Sequence, residues 1–372
     1  MASDLVAYVS KLLPGAAPLD LAADIKKKDY APVVAAVGPK LPQLLALEAE
    51  TDAEGAAALL WDVVLQLPPP QAEAQALQLL QAVKAQDKAG AVLRLRVAAA
   101  LFNKARALPQ VQLQALLDVL ALAAASDNVA LVAPYLSQVD ALLDTQKLGA
   151  EQRRTLLLAV ADVLELADDP LKVLAVLEKY LASFEQTKDA PKEQALRAAK
   201  IVLQNPVASF LARVDLAASA VVQAALKGSK LLELLEIVST KTLKEFAAFQ
   251  KSAAAVFKEN GLEEAELADT MRLFTLCTLP TGFQEIPYAD VAKALDVGEE
   301  DVEKWVVRAI TAGVASAKID QLARTVTISR SLQRRFGAEQ WAEIDAKLQL
   351  YKKNVGGLLD IIRNARRAQE QQ

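Results

Sequence analysis

Cys277 is the only thiol among 372 residues, and the chain has no histidine. A nucleophilic cysteine is ordinarily activated by a neighbouring imidazole, so no Cys–His pair can form within this chain. The lack of histidine also removes the commonest general base, the commonest metal ligand and the side chain that titrates near neutrality. Carboxylates, amides and one thiol are left as ligands. Acidic residues cluster at Glu263, Glu264 and Glu266, and again at Glu299, Glu300, Asp301 and Glu303. Each cluster opens a helical pattern, where negative charge complements the helix dipole, so neither reads as a metal site. Gly228-Ser229-Lys230 lacks the upstream glycine of a phosphate loop and reads as a helix break. Cys277 sits in an almost wholly apolar helical stretch and is expected to be a buried structural thiol. The expectation is no catalytic site, no cofactor and no metal: not an enzyme.

Two other sets of residues have types and spacings suited to recognition. Trp341, Ile344, Leu348, Tyr351, Val355, Leu358 and Ile362 follow one another at intervals of 3-4-3-4-3-4. That is a heptad seam over about three heptads, interrupted by Gly356-Gly357 as a point of weakness. Trp341, Ile344 and Leu348 are expected to close the module before them. Leu348, Tyr351, Val355, Leu358, Leu359 and Ile362 are expected to meet a partner helix, with Lys352, Lys353 and Arg363 placed to pair with its acids. Basic residues gather at Arg324, Arg330, Arg334 and Arg335, and at Arg363, Arg366 and Arg367. They read as a solvated rim that complements helix dipoles, with direct RNA contact a secondary reading.

These residues need elements to position them. From about Leu5 to Leu279 the pattern is helical. Leu156, Leu157, Val160, Val163, Leu164 and Ala167 share one helix face, and Asp168-Asp169-Pro170 breaks the run. Asp169 can cap the next helix and Pro170 suits its first turn. That helix carries Val173, Leu174, Leu177, Tyr180, Leu181 and Phe184, and a third begins near Pro191 with Ala195, Ala199, Val202 and Leu203. The pair over 153–187 has about the length of one helical-repeat unit.

The pattern changes after Leu279. A short extended piece at Gln284-Glu285-Ile286 precedes a small helix from Pro287 to Leu295. After a turn at 296–298, a helix from Glu299 to Ala312 carries Val302, Trp305, Val306, Ala309 and Ile310 on one face. Ala315, Ala317 and Ile319 then alternate with polar residues, as do Val326 and Ile328, so 315–320 and 325–329 read as a hairpin. Helix, short strand, helix, turn, helix, hairpin is the order of a winged helix. Its recognition position begins with three acids, which would repel a phosphate backbone. The chain thus divides into irregular N-terminal helices (1–50), a helical-repeat solenoid (51–264), a winged helix (265–336) and a long assembly helix (337–372).

Composition agrees with a mainly α fold. Thirteen glycines are few for a turn-rich sheet protein, and a 53% hydrophobic share with 5% aromatics points to a core of aliphatic residues and alanine. The net charge of −4 lacks the strong basic balance of a nucleic-acid-binding domain. No apolar run approaches the roughly 18 residues of a membrane span, and the first residues lack the marks of a secretory signal. With a single cysteine the expectation is a cytoplasmic protein without membrane contact.

The layout resembles that of PCI-domain proteins, which form scaffolds of the proteasome lid, the signalosome and eukaryotic translation initiation factor three. Over about 265–355 the similarity is to the subunit m family of that factor. It is carried by Met271-Arg272-Leu273-Phe274-Thr275-Leu276, Lys318-Ile319-Asp320-Gln321, Thr327-Ile328-Ser329-Arg330-Ser331, Phe336-Gly337 and Gln340-Trp341. The resemblance implies a right-handed solenoid and a non-catalytic scaffold role in initiation on the small ribosomal subunit. It also implies that other PCI subunits pair with the winged-helix edge, at Lys318, Ile319, Thr325 and Thr327, and join the terminal helix in a bundle. The alternatives are a scaffold subunit of the signalosome or proteasome lid and, from another class, a nucleic-acid-binding winged-helix adaptor.

Overall fold

The computed structural model describes residues 2–13, 21–84, 90–145, 148–184, 190–282, 284–334 and 338–370, with backbone alone at 145, 338–340, 343 and 364–370. Arg335, Phe336-Gly337 and the side chains of Gln340, Arg366 and Arg367, singled out above, lie outside the described residues. The fold is mainly helical with one small sheet, in two compact units, Met1–Gln194 and Ala195–Gln372. The division falls inside the stretch read from the sequence as a single repeat array.

The first unit is built from neighbouring helix pairs. The helix Ala91–Lys104 packs on Pro109–Ala125, and Ala150–Leu166 on Pro170–Ala182. The turn of the second pair follows its sequence closely. Asp168 takes a left-handed conformation (φ 54°), Asp169 accepts a hydrogen bond from the Lys172 N–H at 3.2 Å, and Pro170 opens the helix. Leu156, Leu157, Val160, Val163 and Leu164 are buried, as are Val173, Leu174, Leu177, Tyr180 and Leu181. Ala167, expected on the inner face, is exposed because the helix ends at Leu166 and the turn swings outward. Phe184 lies under the Arg154 guanidinium, 3.8 Å from the ring centre. Deeper in the unit, Trp61 is fully buried and donates its indole N–H to the Val97 carbonyl at 3.1 Å.

The second unit places a three-stranded antiparallel sheet among helices. Its strands are β1 (Glu285–Pro287), β2 (Ala315–Asp320) and β3 (Thr325–Ser331), in the order β1-β3-β2. β3 is therefore central. The short extended piece expected near Gln284 is β1, which becomes a strand by pairing with β3. The hairpin loop closes with Asp320 Oδ1 accepting from the Ala323 N–H at 2.9 Å and with Arg324 at φ 52°.

The helices Glu264–Leu276, Tyr288–Leu295 and Val302–Thr311 pack on the sheet. Leu273, Leu276, Cys277, Ile286, Val291, Leu295, Val302, Trp305, Val306, Val314, Val326 and Ile328 belong to one buried cluster. Val302, Trp305, Val306 and Ala309 face inward as expected, but Ile310 is exposed. At about 100° per residue, Ile310 sits about 80° round from Val302, on the margin of the buried stripe. Glu299–Asp301 form a 3₁₀ turn ahead of that helix rather than its first α turn. Among the described residues no helix is long and apolar enough to cross a membrane.

Candidate functional site: a sheet edge and an exposed terminal helix

The terminal helix, Ala338–Glu370, is one continuous run of 33 residues, roughly 50 Å long at 1.5 Å per residue. It continues through Gly356 and Gly357, where an added Cβ would meet nothing within 4 Å. Of the predicted seam, Leu348, Tyr351, Val355, Leu358, Leu359 and Ile362 are all exposed. Trp341, Ile344 and Leu348 were expected to close the preceding module, and the structure corrects this: Trp341 is 63% exposed and Ile344 and Leu348 are also exposed. The buried cluster closes with its own helices and sheet and contains none of the three.

The periodicity missed Leu350 and Ile361, which are apolar and exposed as well. They lie 11 residues apart, an interval that returns to within about 20° of the same face. The helix therefore carries a second apolar line beside the heptad seam. An 11-residue count alongside the 7-residue one would have found it.

The predicted edge residues divide by strand order. Lys318 and Ile319 lie on β2, which among the described residues pairs with β3 on one side only. Lys318 is exposed, while Ile319 faces the buried cluster and packs partly against it. Thr325 and Thr327 do not lie at an edge. Thr325 pairs with Pro287 and Asp320, and Thr327 with Glu285 and Lys318, so β1 and β2 flank both residues. Hairpin alternation reveals two strands, but the third strand that covers β3 comes from about forty residues upstream.

The wing loop is tied down by polar contacts. Glu303 accepts from the Tyr288 hydroxyl at 2.9 Å and from the Gln321 amide at 2.8 Å. Arg324 pairs with Glu299 at 3.0 Å, so one wing arginine is balanced by an acid of the 3₁₀ turn. Asp269 holds both Arg272 (3.1 Å) and Arg308 (2.6 Å), and both guanidiniums lie against the Trp305 ring.

Arg334 departs from the solvated-rim expectation. Its guanidinium is inserted among backbone carbonyls of Ile237, Val238 and Lys241, and burial pulls its pKa down to about 10, which still leaves it charged at neutrality. Only its complement of a helix dipole holds as expected. No local signal foretells this, because the partners lie more than ninety residues upstream. Cys277 is buried, with its thiol 3.6 Å from the carbonyls of Leu273 and Val314, and burial pushes its pKa up to about 11. That is the setting of an inert structural thiol. In the first unit a groove of about 710 Å3 is lined in part by Asp140, Asp144, Arg153, Leu157 and Lys179. Its Asp140 and Lys179 pair with each other at 2.6 Å.

Comparison with known proteins agrees with this geometry. Residues 249–330 match the model of the PCI domain, a span that takes in the sheet and the helices packed on it. The chain is thus similar to PCI-domain proteins over that span. Over a longer stretch it is similar to proteins named eukaryotic translation initiation factor 3 subunit M. The relative from Phaeosphaeria nodorum is 31% identical over 281 residues, 73% of this chain and 63% of the relative. That from Dictyostelium discoideum is 26% identical over 285 residues, 74% of this chain and 70% of the relative. That from Aspergillus oryzae is 34% identical over 240 residues, 62% of this chain and 51% of the relative. The matched part of the chain thus spans less than two thirds of the Phaeosphaeria and Aspergillus relatives.

Proposed function

We propose that this chain is a non-catalytic structural subunit of a translation initiation factor 3 complex in the cytoplasm, where it scaffolds PCI subunits during initiation on the small ribosomal subunit. The observation that carries this reading is the similarity to relatives named subunit M, which extends well beyond the PCI domain itself. The exposed terminal helix supports it with a mechanism. Two apolar lines on one helix suit a bundle with neighbours on more than one side better than a two-stranded coil.

In this reading 1–50 are irregular helices, 51–264 a right-handed solenoid, 265–336 a winged helix and 337–372 the assembly helix. The order of elements from Glu264 to Ser331 supports the winged helix. β2, with Lys318 and Ile319, offers an edge to a neighbouring PCI subunit. Contact of the basic residues with RNA is secondary. The acids Glu299, Glu300 and Asp301 at the recognition position disfavour a duplex reader.

The test is to tag the chain in its own cells and identify what co-purifies. Initiation factor 3 subunits are expected. Recovery of signalosome or proteasome-lid subunits in their place would overturn the assignment. Tight, salt-sensitive binding of the purified full chain to duplex DNA or RNA would favour the adaptor instead.

A further inference from the structure

The last residue of β3, Ser331, and the described part of the connector to the terminal helix, Leu332–Arg334, are held at every residue. The Ser331 hydroxyl donates to the Cys277 carbonyl at 3.0 Å. The Leu332 N–H donates to the Val314 carbonyl at 3.0 Å. The Gln333 carbonyl accepts from Arg213 at 3.2 Å. Arg334 reaches farthest. Its Nη1 donates to the Lys241 carbonyl at 2.7 Å, and its Nη2 to Ile237 at 3.1 Å and to Val238.

These last three carbonyls belong to the end of the helix Lys230–Thr240 and its cap residue. A helix C-terminus leaves its final carbonyls without intrahelical donors and carries the negative end of the dipole. The Ile237 carbonyl already accepts from the Lys241 N–H at 3.0 Å, so the guanidinium adds a second donor there, supplies donors to Val238 and Lys241, and brings positive charge to the dipole's negative end. It also lies 5.5 Å from the Phe274 ring and 3.8 Å from the Met271 sulfur, both on the helix Glu264–Leu276. The terminal helix starts at Ala338, four positions farther on.

We propose that Arg334 is a positioning residue for assembly: by locking the connector onto the end of the helix Lys230–Thr240, it sets the point from which the terminal helix leaves the body and presents its apolar lines to partner helices. The proposal rests on the reading of that helix as partner-binding. An arginine suits the place because its two terminal nitrogens fork toward carbonyls spread over one helical turn. A lysine ammonium is a single point and cannot span them. Arg334 acts on the connector. Its contribution to binding is pre-organisation: a helix launched from a fixed point loses less freedom on joining a bundle than one on a loose tether.

The test uses the full chain carrying Arg334→Met or Arg334→Lys, with two readouts. The first is native-state hydrogen exchange at the Leu332 amide and at the amides of the helix Val302–Thr311. The second is recovery of partner subunits on the tagged chain. Arg334→Met should speed exchange at Leu332 by about 10-fold or more, leave the helix Val302–Thr311 within about twofold, and lower partner recovery several-fold. Arg334→Lys should fall between wild type and Arg334→Met, and it carries the same contrast should the methionine variant fail to fold. Exchange rising equally everywhere would make Arg334 a general stabiliser and overturn the proposal. So would unchanged exchange at Leu332, or full partner recovery with the connector loosened. A wild-type chain that recovers no PCI subunits would sink the functional reading instead, and the exchange contrast alone would then decide the lock.

Discussion

The seam of the terminal helix makes a sharp prediction because its residues have little to lose in the free chain. Consider Tyr351→Ala, Leu358→Ala and Ile362→Ala combined. These side chains are 68%, 59% and 61% exposed. Their truncation should change the stability of the free chain by no more than about 0.5 kcal/mol, since exposed positions contribute little and alanine is a strong helix former. A partner that covers the exposed area would gain about 1–2 kcal/mol from each residue. With incomplete additivity the triple variant should lose about 3–5 kcal/mol of association, roughly 150- to 4,000-fold in affinity. Two assays decide it. Thermal unfolding of the purified chain should move by less than about 2 °C. Recovery of partner subunits on the tagged variant should collapse. A Tm lowered by many degrees with assembly intact would refute the reasoning, because it would mean that the seam packs on its own body in solution. The pair Leu350→Ala and Ile361→Ala probes the second apolar line in the same way.

Three further outcomes are expected. Cys277, buried and with its pKa pushed up to about 11, should resist an aromatic disulfide reagent at pH 7.5 and react as one thiol per chain only after guanidinium unfolding; rapid native labelling would contradict its placement. Asp118 is buried 3.3 Å from Lys84 and 3.0 Å from the Gln114 amide, and burial raises its pKa above 3.8 against the pull of Lys84. Between 3.8 and that raised value the folded chain holds a proton that the unfolded chain has released, so Asp118 makes stability fall as pH rises through this window. Asp118→Asn should flatten the slope there. At pH 7 it should cost less than about 1 kcal/mol, because the lysine it leaves behind is largely exposed and no buried charge is stranded. An unchanged slope in denaturation midpoint against pH would refute this. Finally, Gly356→Ala and Gly357→Ala, in open helical positions, should each stabilise the terminal helix by about 0.5–1 kcal/mol, seen as higher helicity on heating by circular dichroism; a loss of helicity would show that the glycines serve a bend.

Much of the fold follows from residue order within single elements. The buried faces at Leu156–Leu164 and Val302–Ala309, the capped turn at Asp168-Asp169-Pro170, the alternation of β2 and β3 and the burial of Cys277 all express local periodicity and local capping. These depend on neighbours within a turn or two, so the chain alone specifies them. The seam of the terminal helix was legible for the same reason, although a strict heptad count leaves out Leu350, Leu359 and Ile361. What the tertiary structure decided lies between elements. It made β3 the central strand, which took Thr325 and Thr327 off the edge and left Lys318 and Ile319 there. It left Trp341 exposed and outside the buried cluster. It also drew Arg334 out of a basic cluster and into the end of a helix more than ninety residues upstream. Periodicity tells which face of an element is apolar. It does not tell which partner that face meets, because strand order and long-range capping are selected by the packing of the whole unit.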